Sequence, residues 1–180
     1  MSLLSEEERA NIKKILDEQL QDELNLLVFT QETECEYCKE TRQILEELSQ
    51  VNIKIKVESY DLLRDQNKAK EYNIERAPAI ILSGKNRSTK IRFFGLPAGH
   101  EFSTLLEDMI DVSKGISRLS PLTKENIKQI TKPIHIQVFV TLTCPYCPSA
   151  VRIAHQIALE NDLVTADMIE AVEFPQLAQK

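Results

Sequence analysis

The chain has 180 residues, 42% of them hydrophobic and 28% charged, and a net charge of −6; such a composition suits one ordinary domain or two small ones and excludes disordered and collagen-like classes. No apolar run approaches the roughly 18 residues that span a bilayer, and the opening Met-Ser-Leu-Leu-Ser-Glu-Glu-Glu lacks the basic region and apolar core of a secretory signal. With a pI of about 5.2, neither nucleic acid nor an anionic membrane is expected as a partner, because both need a basic face, and the expected location is the cytoplasm.

Residues 4–20 read as an amphipathic helix. Ser5 and Glu8 form a capping box, and Ile12, Ile15, Leu16 and Leu20 recur at helical spacing toward a core. The run at 24–30, Leu-Asn-Leu-Leu-Val-Phe-Thr, is nearly continuous in apolar residues and suits a strand buried on both faces. After Cys35-Glu36-Tyr37-Cys38 a helix is predicted to about residue 50, with Ile44, Leu45 and Leu48 on one face. A strand at 53–57 and a helix at 63–72 follow. Ala77-Pro78 precedes a strand at 79–82, which a polar turn around Gly84 joins to another at 91–94. Gly95, Pro97 and Gly99 mark a bend before a helix at 101–113. This order predicts a mixed sheet flanked by helices.

The pattern then restarts. A linker over 114–121 leads to a short helix at 124–131 with Thr123 as its cap, a strand at 134–140, Cys144-Pro145-Tyr146-Cys147 and a helix to about residue 160. A strand within 164–172 and the start of a helix at 175–180 close the chain. Val28-Phe29 precedes the first cysteine pair as Val138-Phe139 precedes the second, and Cys144 lies 109 residues after Cys35. The expected division is a unit over 1–117 and a partial copy over 118–180. At the same offset the counterpart of Pro78 would fall at 187, past Lys180. The second unit is therefore expected to lack its hairpin and last helix and to carry an uncovered sheet edge that favours homo-oligomers, and the first is expected to work by itself.

Two Cys-x-x-Cys pairs in a chain without a signal read as redox motifs or as a zinc site. The redox reading is favoured because each pair follows an apolar strand and opens a helix. Unpaired N–H groups and the dipole there stabilise a thiolate on Cys35 and on Cys144, while Cys38 and Cys147, one turn in, resolve. Pro145 is expected in the first helical turn, where no N–H is needed. Structural zinc usually knits short loops, whereas these pairs occupy equivalent places in two units. Scaffold or holdase modules with idle cysteines are the remaining reading. Ala77-Pro78, if cis, would expose a backbone edge beside the cysteines for an extended substrate segment. Glu32, Glu34 and Glu36 crowd Cys35 with negative charge, so Cys144 is expected to ionise more readily. His100, His135 and His155 have no ligand spacing and are read as surface or helix-face residues, and Phe93-Phe94 as core.

Cys35-Glu36-Tyr37-Cys38, Arg76-Ala77-Pro78, the segment Phe93-Phe94-Gly95-Leu96-Pro97-Ala98-Gly99-His100-Glu101-Phe102 and Cys144-Pro145-Tyr146-Cys147-Pro148 together resemble the glutaredoxin-like protein disulfide oxidoreductases of thermophilic archaea and bacteria, within the thioredoxin superfamily. The resemblance implies an α/β chain of two tandem thioredoxin-like folds, the second incomplete at its C-terminus. It implies reduction, oxidation or isomerisation of protein disulfides without a bound cofactor or metal, and recycling by a thioredoxin-reductase-like flavoenzyme. On that resemblance Cys35 and Cys144 attack, Cys38 and Cys147 resolve, and Ala77 and Pro78 form the cis-proline loop that binds substrate.

Overall fold

In the computed structural model, which describes residues 2–85 and 87–179, the described residues form seven helices and a six-stranded sheet. In chain order the elements are α1 (Glu6–Gln19), β1 (Leu24–Thr30), α2 (Cys38–Val51), β2 (Ile55–Asp61), α3 (Gln66–Glu71), β3 (Ala79–Gly84), β4 (Arg87–Phe94), α4 (Glu101–Lys114), α5 (Pro121–Lys128), β5 (Ile134–Val140), α6 (Cys147–Glu160), β6 (Val164–Glu170) and α7 (Pro175–Ala178). The sheet order is β2-β1-β3-β4-β6-β5. β1 runs parallel to β2 and antiparallel to β3, and β3 pairs antiparallel with β4. β4 then pairs in parallel with β6, from Ile91 opposite Ala166 to Phe94 opposite Ile169, and β6 with β5. A single mixed sheet thus runs through both halves of the repeat.

The period-2 alternation of strands sorts the core into two layers. Leu24, Leu26 and Val28 of β1, Ile80 and Leu82 of β3, Ile91 and Phe93 of β4 and Val164, Ala166 and Met168 of β6 pack with residues of α1, α2, α4 and α6. Leu27 and Phe29, Ala79 and Ile81, Phe94 and Ile169 face the opposite layer, where Ala69, Ile74 and Phe174 cover them. Strand β1 is buried on both sides, as its apolar run predicts. Strand β5 has one hydrogen-bonded neighbour among the described residues, β6, and its Ile134 and Phe139 are exposed.

Several expectations are adjusted. The capping box of α1 forms as predicted, with Ser5 Oγ accepting from Glu8 N–H and Glu8 Oε2 from Ser5 N–H. Ile12, Leu16 and Leu20 are buried, but Ile15 is 45% exposed because it lies at the rim of the apolar stripe. The second strand begins at Ile55, leaving Ile53 in a solvent-facing turn. The helix expected over 63–72 contracts to α3, since Asp61 and Asp65 hold the preceding residues in a hydrogen-bonded turn. Helix α5 starts before Thr123: Ser120 is the cap, accepting from Thr123 N–H, and Pro121 takes the first turn. The Lys180 end of the last expected helix, and Asn86 in the turn near Gly84, lie outside the described residues. No helix among the described residues is long and apolar enough to cross a membrane.

His155 lies on a face of α6, within the surface or helix-face reading, but on a buried one. It is fully buried, with Nδ1 2.6 Å from Asp108 Oδ2, while Arg152 pairs with Asp108 and Asp111. This network fills the seam between α4 and α6. His135 stays at the surface, but its Nε2 lies 2.5 Å from Asp167 Oδ2, whose carboxylate also takes the Arg92 guanidinium. Phe93 and Phe94 are core residues, as expected.

Candidate dithiol site

Each cysteine pair lies between the end of a sheet strand and the first turn of a helix. β1 ends at Thr30 and α2 starts at Cys38; β5 ends at Val140 and α6 starts at Cys147. A hydrophobic strand holds one end of each loop and an amphipathic helix the other, so the loop is clamped at both ends. Both pairs are closed as disulfides, with Cα atoms 5.5 Å apart in Cys35–Cys38 and 5.6 Å in Cys144–Cys147. Cys38 and Cys147 are the first helical residues rather than one turn in, and Cys35 and Cys144 lie outside the helices. A three-residue separation is the span of one turn, and the bridge takes up that turn before regular helix begins. Pro145 accordingly precedes the helix, and Pro148 occupies its first turn.

Sulfur environments differ between the two loops. Cys38 is buried, Cys35 half-buried, and Cys38 Sγ accepts from Gln31 N–H at 3.4 Å. In the second loop the Cys147 N–H donates to Cys144 Sγ at 3.2 Å. Of the three glutamates expected to crowd Cys35, Glu32 is paired with Arg64 at 3.0 Å. Glu36 remains an influence, raising the Tyr37 hydroxyl above its ordinary value by its charge and a hydrogen bond.

The Ala77–Pro78 peptide is cis, as envisaged. Pro78 is buried, Ala77 half-buried, and Pro78 O accepts from Gly95 N–H at 3.0 Å. Both residues line a cleft of about 700 Å³ together with Cys35 and Glu36. Val172, Glu173, Phe174 and Gln176, from the far side of the repeat boundary, complete that cleft. Residues beyond 117 thus share in lining the cleft at the first pair. On its other flank Cys35 and Cys38 line a cleft of about 500 Å³ with Lys39, Arg42, Tyr60 and Arg64.

Glu173 is the residue that sequence spacing missed. Its Oε1 accepts from Leu96 N–H at 2.7 Å, and its carboxyl is pushed up to about 7, first by burial and then by the charges of Glu170 and Glu36, against the lowering effect of the Leu96 bond. No local motif marks it; it reaches the cleft because β6 lies beside β4. Among the described residues no group of three or more His, Cys, Asp or Glu side chains gathers as a metal site.

Comparison with known proteins places this geometry. A family model described as a thioredoxin domain matches residues 24–107. A solved protein disulfide oxidoreductase from Aeropyrum pernix superposes with a TM-score of 0.91 at 29% identity, covering 98% of this chain and 78% of that one. The structure of the alkylhydroperoxide reductase AhpF from Enterococcus faecalis gives 0.87 at 30% identity, with 98% and 84% covered. An NADH dehydrogenase of Bacillus subtilis is 25% identical over 166 residues, 92% of this chain and 30% of that protein. The chain spans between 20% and 30% of the length of the first curated relatives it matches.

Proposed function

The chain belongs to the thioredoxin-like family that unites protein disulfide oxidoreductases with the matching part of the alkylhydroperoxide reductase AhpF, and from that premise we propose that it exchanges dithiols for disulfides in other proteins. The observation that carries this reading is the pair of Cys-x-x-Cys loops, each closed as a disulfide at a helix start, the first beside the Ala77–Pro78 loop in an open cleft. We read residues 1–117 as one thioredoxin-like unit and assign 118–180 to a second.

In the reducing direction the Cys35 thiolate attacks a substrate disulfide. One substrate sulfur leaves, and Cys35 is joined to the other. The Cys38 thiolate then attacks Cys35 Sγ, the bond to the substrate breaks, and two electrons have passed to the substrate. Oxidation of a substrate dithiol is the reverse. Cys144 and Cys147 take the corresponding roles in the second loop. Ala77 and Pro78 supply the wall along which an extended substrate segment lies. No bound cofactor enters these steps. Electrons come from a thioredoxin-reductase-like flavoenzyme in the cytoplasm, and the β5 edge, which pairs with β6 alone among the described residues, supports association with a second copy.

Insulin-disulfide reduction by the wild-type chain, Cys35→Ser and Cys144→Ser tests the reading. Turnover that falls at least about tenfold on loss of Cys35 or of Cys144, whichever pair carries it, supports it. Wild-type protein whose thiols fail to pair under mild oxidation, or turnover indifferent to both substitutions, overturns it. Stoichiometric zinc released on cysteine substitution would favour the metal-module reading instead.

A further inference from the structure

We propose that Glu173, on the loop between β6 and α7, is a catalytic residue of the first site, the acid and base that meets the substrate's own sulfur as it leaves or approaches Cys35. The inference rests on dithiol–disulfide exchange at Cys35–Cys38 and adds to it a group from the opposite half of the repeat.

Sheet order brings the carboxyl there. β4 and β6 run in parallel with Phe94 opposite Ile169, so the segments following both strands emerge at the same end of the sheet. After β4 comes Gly95, tied to Pro78 O; after β6 comes Glu173. Two hydrogen bonds fix the glutamate, Leu96 N–H to its Oε1 and its own N–H to Glu170 Oε2, both 2.7 Å. Gly95 makes the space. Its φ is +102°, and a Cβ at that position would stand 2.6 Å from Glu170 Cβ and 2.8 Å from Glu173 Oε1. A side chain on residue 95 would push the carboxyl out of the cleft.

The cleft it enters is the one where substrate must lie. Cys35, Ala77 and Pro78 line it, and its charged groups are Glu34, Glu36, Glu75, Arg76 and Glu173, with Glu170 and Tyr37 against it. Carboxylates outnumber the single arginine, and Glu173 is half-buried. Both facts favour its protonated form, and a carboxyl titrating at about 7 can give and take a proton near neutrality.

The chemistry balances. When the Cys38 thiolate attacks Cys35 Sγ, the bond between Cys35 and the substrate sulfur breaks. That sulfur leaves with the electron pair and takes the proton of Glu173, which solvent restores. In reverse, a substrate thiol gives its proton to the Glu173 carboxylate and attacks Cys35 Sγ, and Cys38 departs as thiolate. An alkyl thiolate is a poor leaving group and gains from the proton; an aromatic thiolate, already acidic as a thiol, does not.

The test uses the full chain carrying Cys144→Ser and Cys147→Ser, with and without Glu173→Gln, in single turnover. Two peptide disulfides are compared, one releasing an alkyl thiol and one an aromatic thiol. Glu173→Gln is expected to slow alkyl-thiol release about tenfold or more at near-neutral pH and to remove the decline in that rate above about pH 7, while leaving aromatic release unchanged. Equal slowing of both substrates, or slowing of neither, overturns the inference. A parent chain that reduces neither substrate would instead overturn the exchange reading on which it rests.

Discussion

The Cys147 amide donates its hydrogen to Cys144 Sγ across 3.2 Å, joining the first residue of α6 to the sulfur outside it. A backbone N–H at a helix start stabilises negative charge on its acceptor. In the first loop Cys35 lines its cleft together with Glu36, and the Gln31 N–H donates to Cys38 Sγ. In the reduced protein Cys144 should therefore be the more ionised attacking thiol. Peptide-resolved alkylation near pH 7 is expected to modify Cys144 about threefold faster than Cys35 or more; a faster Cys35 would contradict the assignment.

Glu47 ties the N-terminal segment to α2. It accepts from Leu3 N–H at 2.8 Å, Leu4 N–H at 3.0 Å, Ser2 Oγ at 2.8 Å and Gln43 Nε2 at 2.9 Å, and pairs with Arg9 at 2.9 Å. Burial alone would raise its carboxyl, but these hydrogen bonds prevail and hold it at about 2, down from 4.5. A folded value below the unfolded one contributes stability above about pH 4.5, lost as pH falls toward about 2. With allowance for solvent screening, Glu47→Gln should cost about 1–2 kcal/mol at neutral pH. Urea denaturation at several pH values should show that cost vanishing by about pH 2.

Gly99 and Gly115 both have left-handed backbone, φ +57° and +68°. A Cβ on Gly99 would meet Leu142 O at 2.5 Å, whereas one on Gly115 meets nothing within 4 Å. Gly115→Ala should cost only the backbone penalty of about 1 kcal/mol. Gly99→Ala adds a clash with the strand-to-cysteine loop, whose Leu142 O also accepts from His100 N–H, and should cost about 2–4 kcal/mol. Thermal unfolding of the two variants side by side measures the difference.

Asp108 holds two partners at once, the Arg152 guanidinium and the His155 imidazole, at the α4–α6 seam. Its side chain is 1% exposed. Asp108→Ala leaves Arg152 with Asp111 and a partial contact to Glu107, and strips His155 Nδ1 of its acceptor. Loss of one member of a buried ionic network costs about 3–5 kcal/mol. Urea denaturation followed by circular dichroism should register that loss, and a variant as stable as wild type would refute the structural role given to the network.

Patterns local to the chain were readable in advance. Apolar runs of strand length located β1 and β5 to the residue; continuous hydrophobicity went with burial on both faces in β1 only, whereas β5 is largely exposed. Ser5 and Glu8 announced the start of α1, since capping depends on residues three apart. Errors fell where local signals compete. Thr123 looked like a cap, yet Ser120 with Pro121 beside it makes the better helix start.

Within the candidate site, the four cysteines and Ala77-Pro78 were legible because each is a short pattern of adjacent residues. Glu173 was not, nor was the burial of His155. Both depend on contacts across the repeat: β6 against β4, and α6 against α4. Sequence alone determined most of the elements, the repeat and the spacing of its cysteines, because these follow from residue order along one chain. Only the tertiary structure decided which distant carboxylate enters the first cleft, because strand order in a sheet sets neighbours that no local spacing encodes.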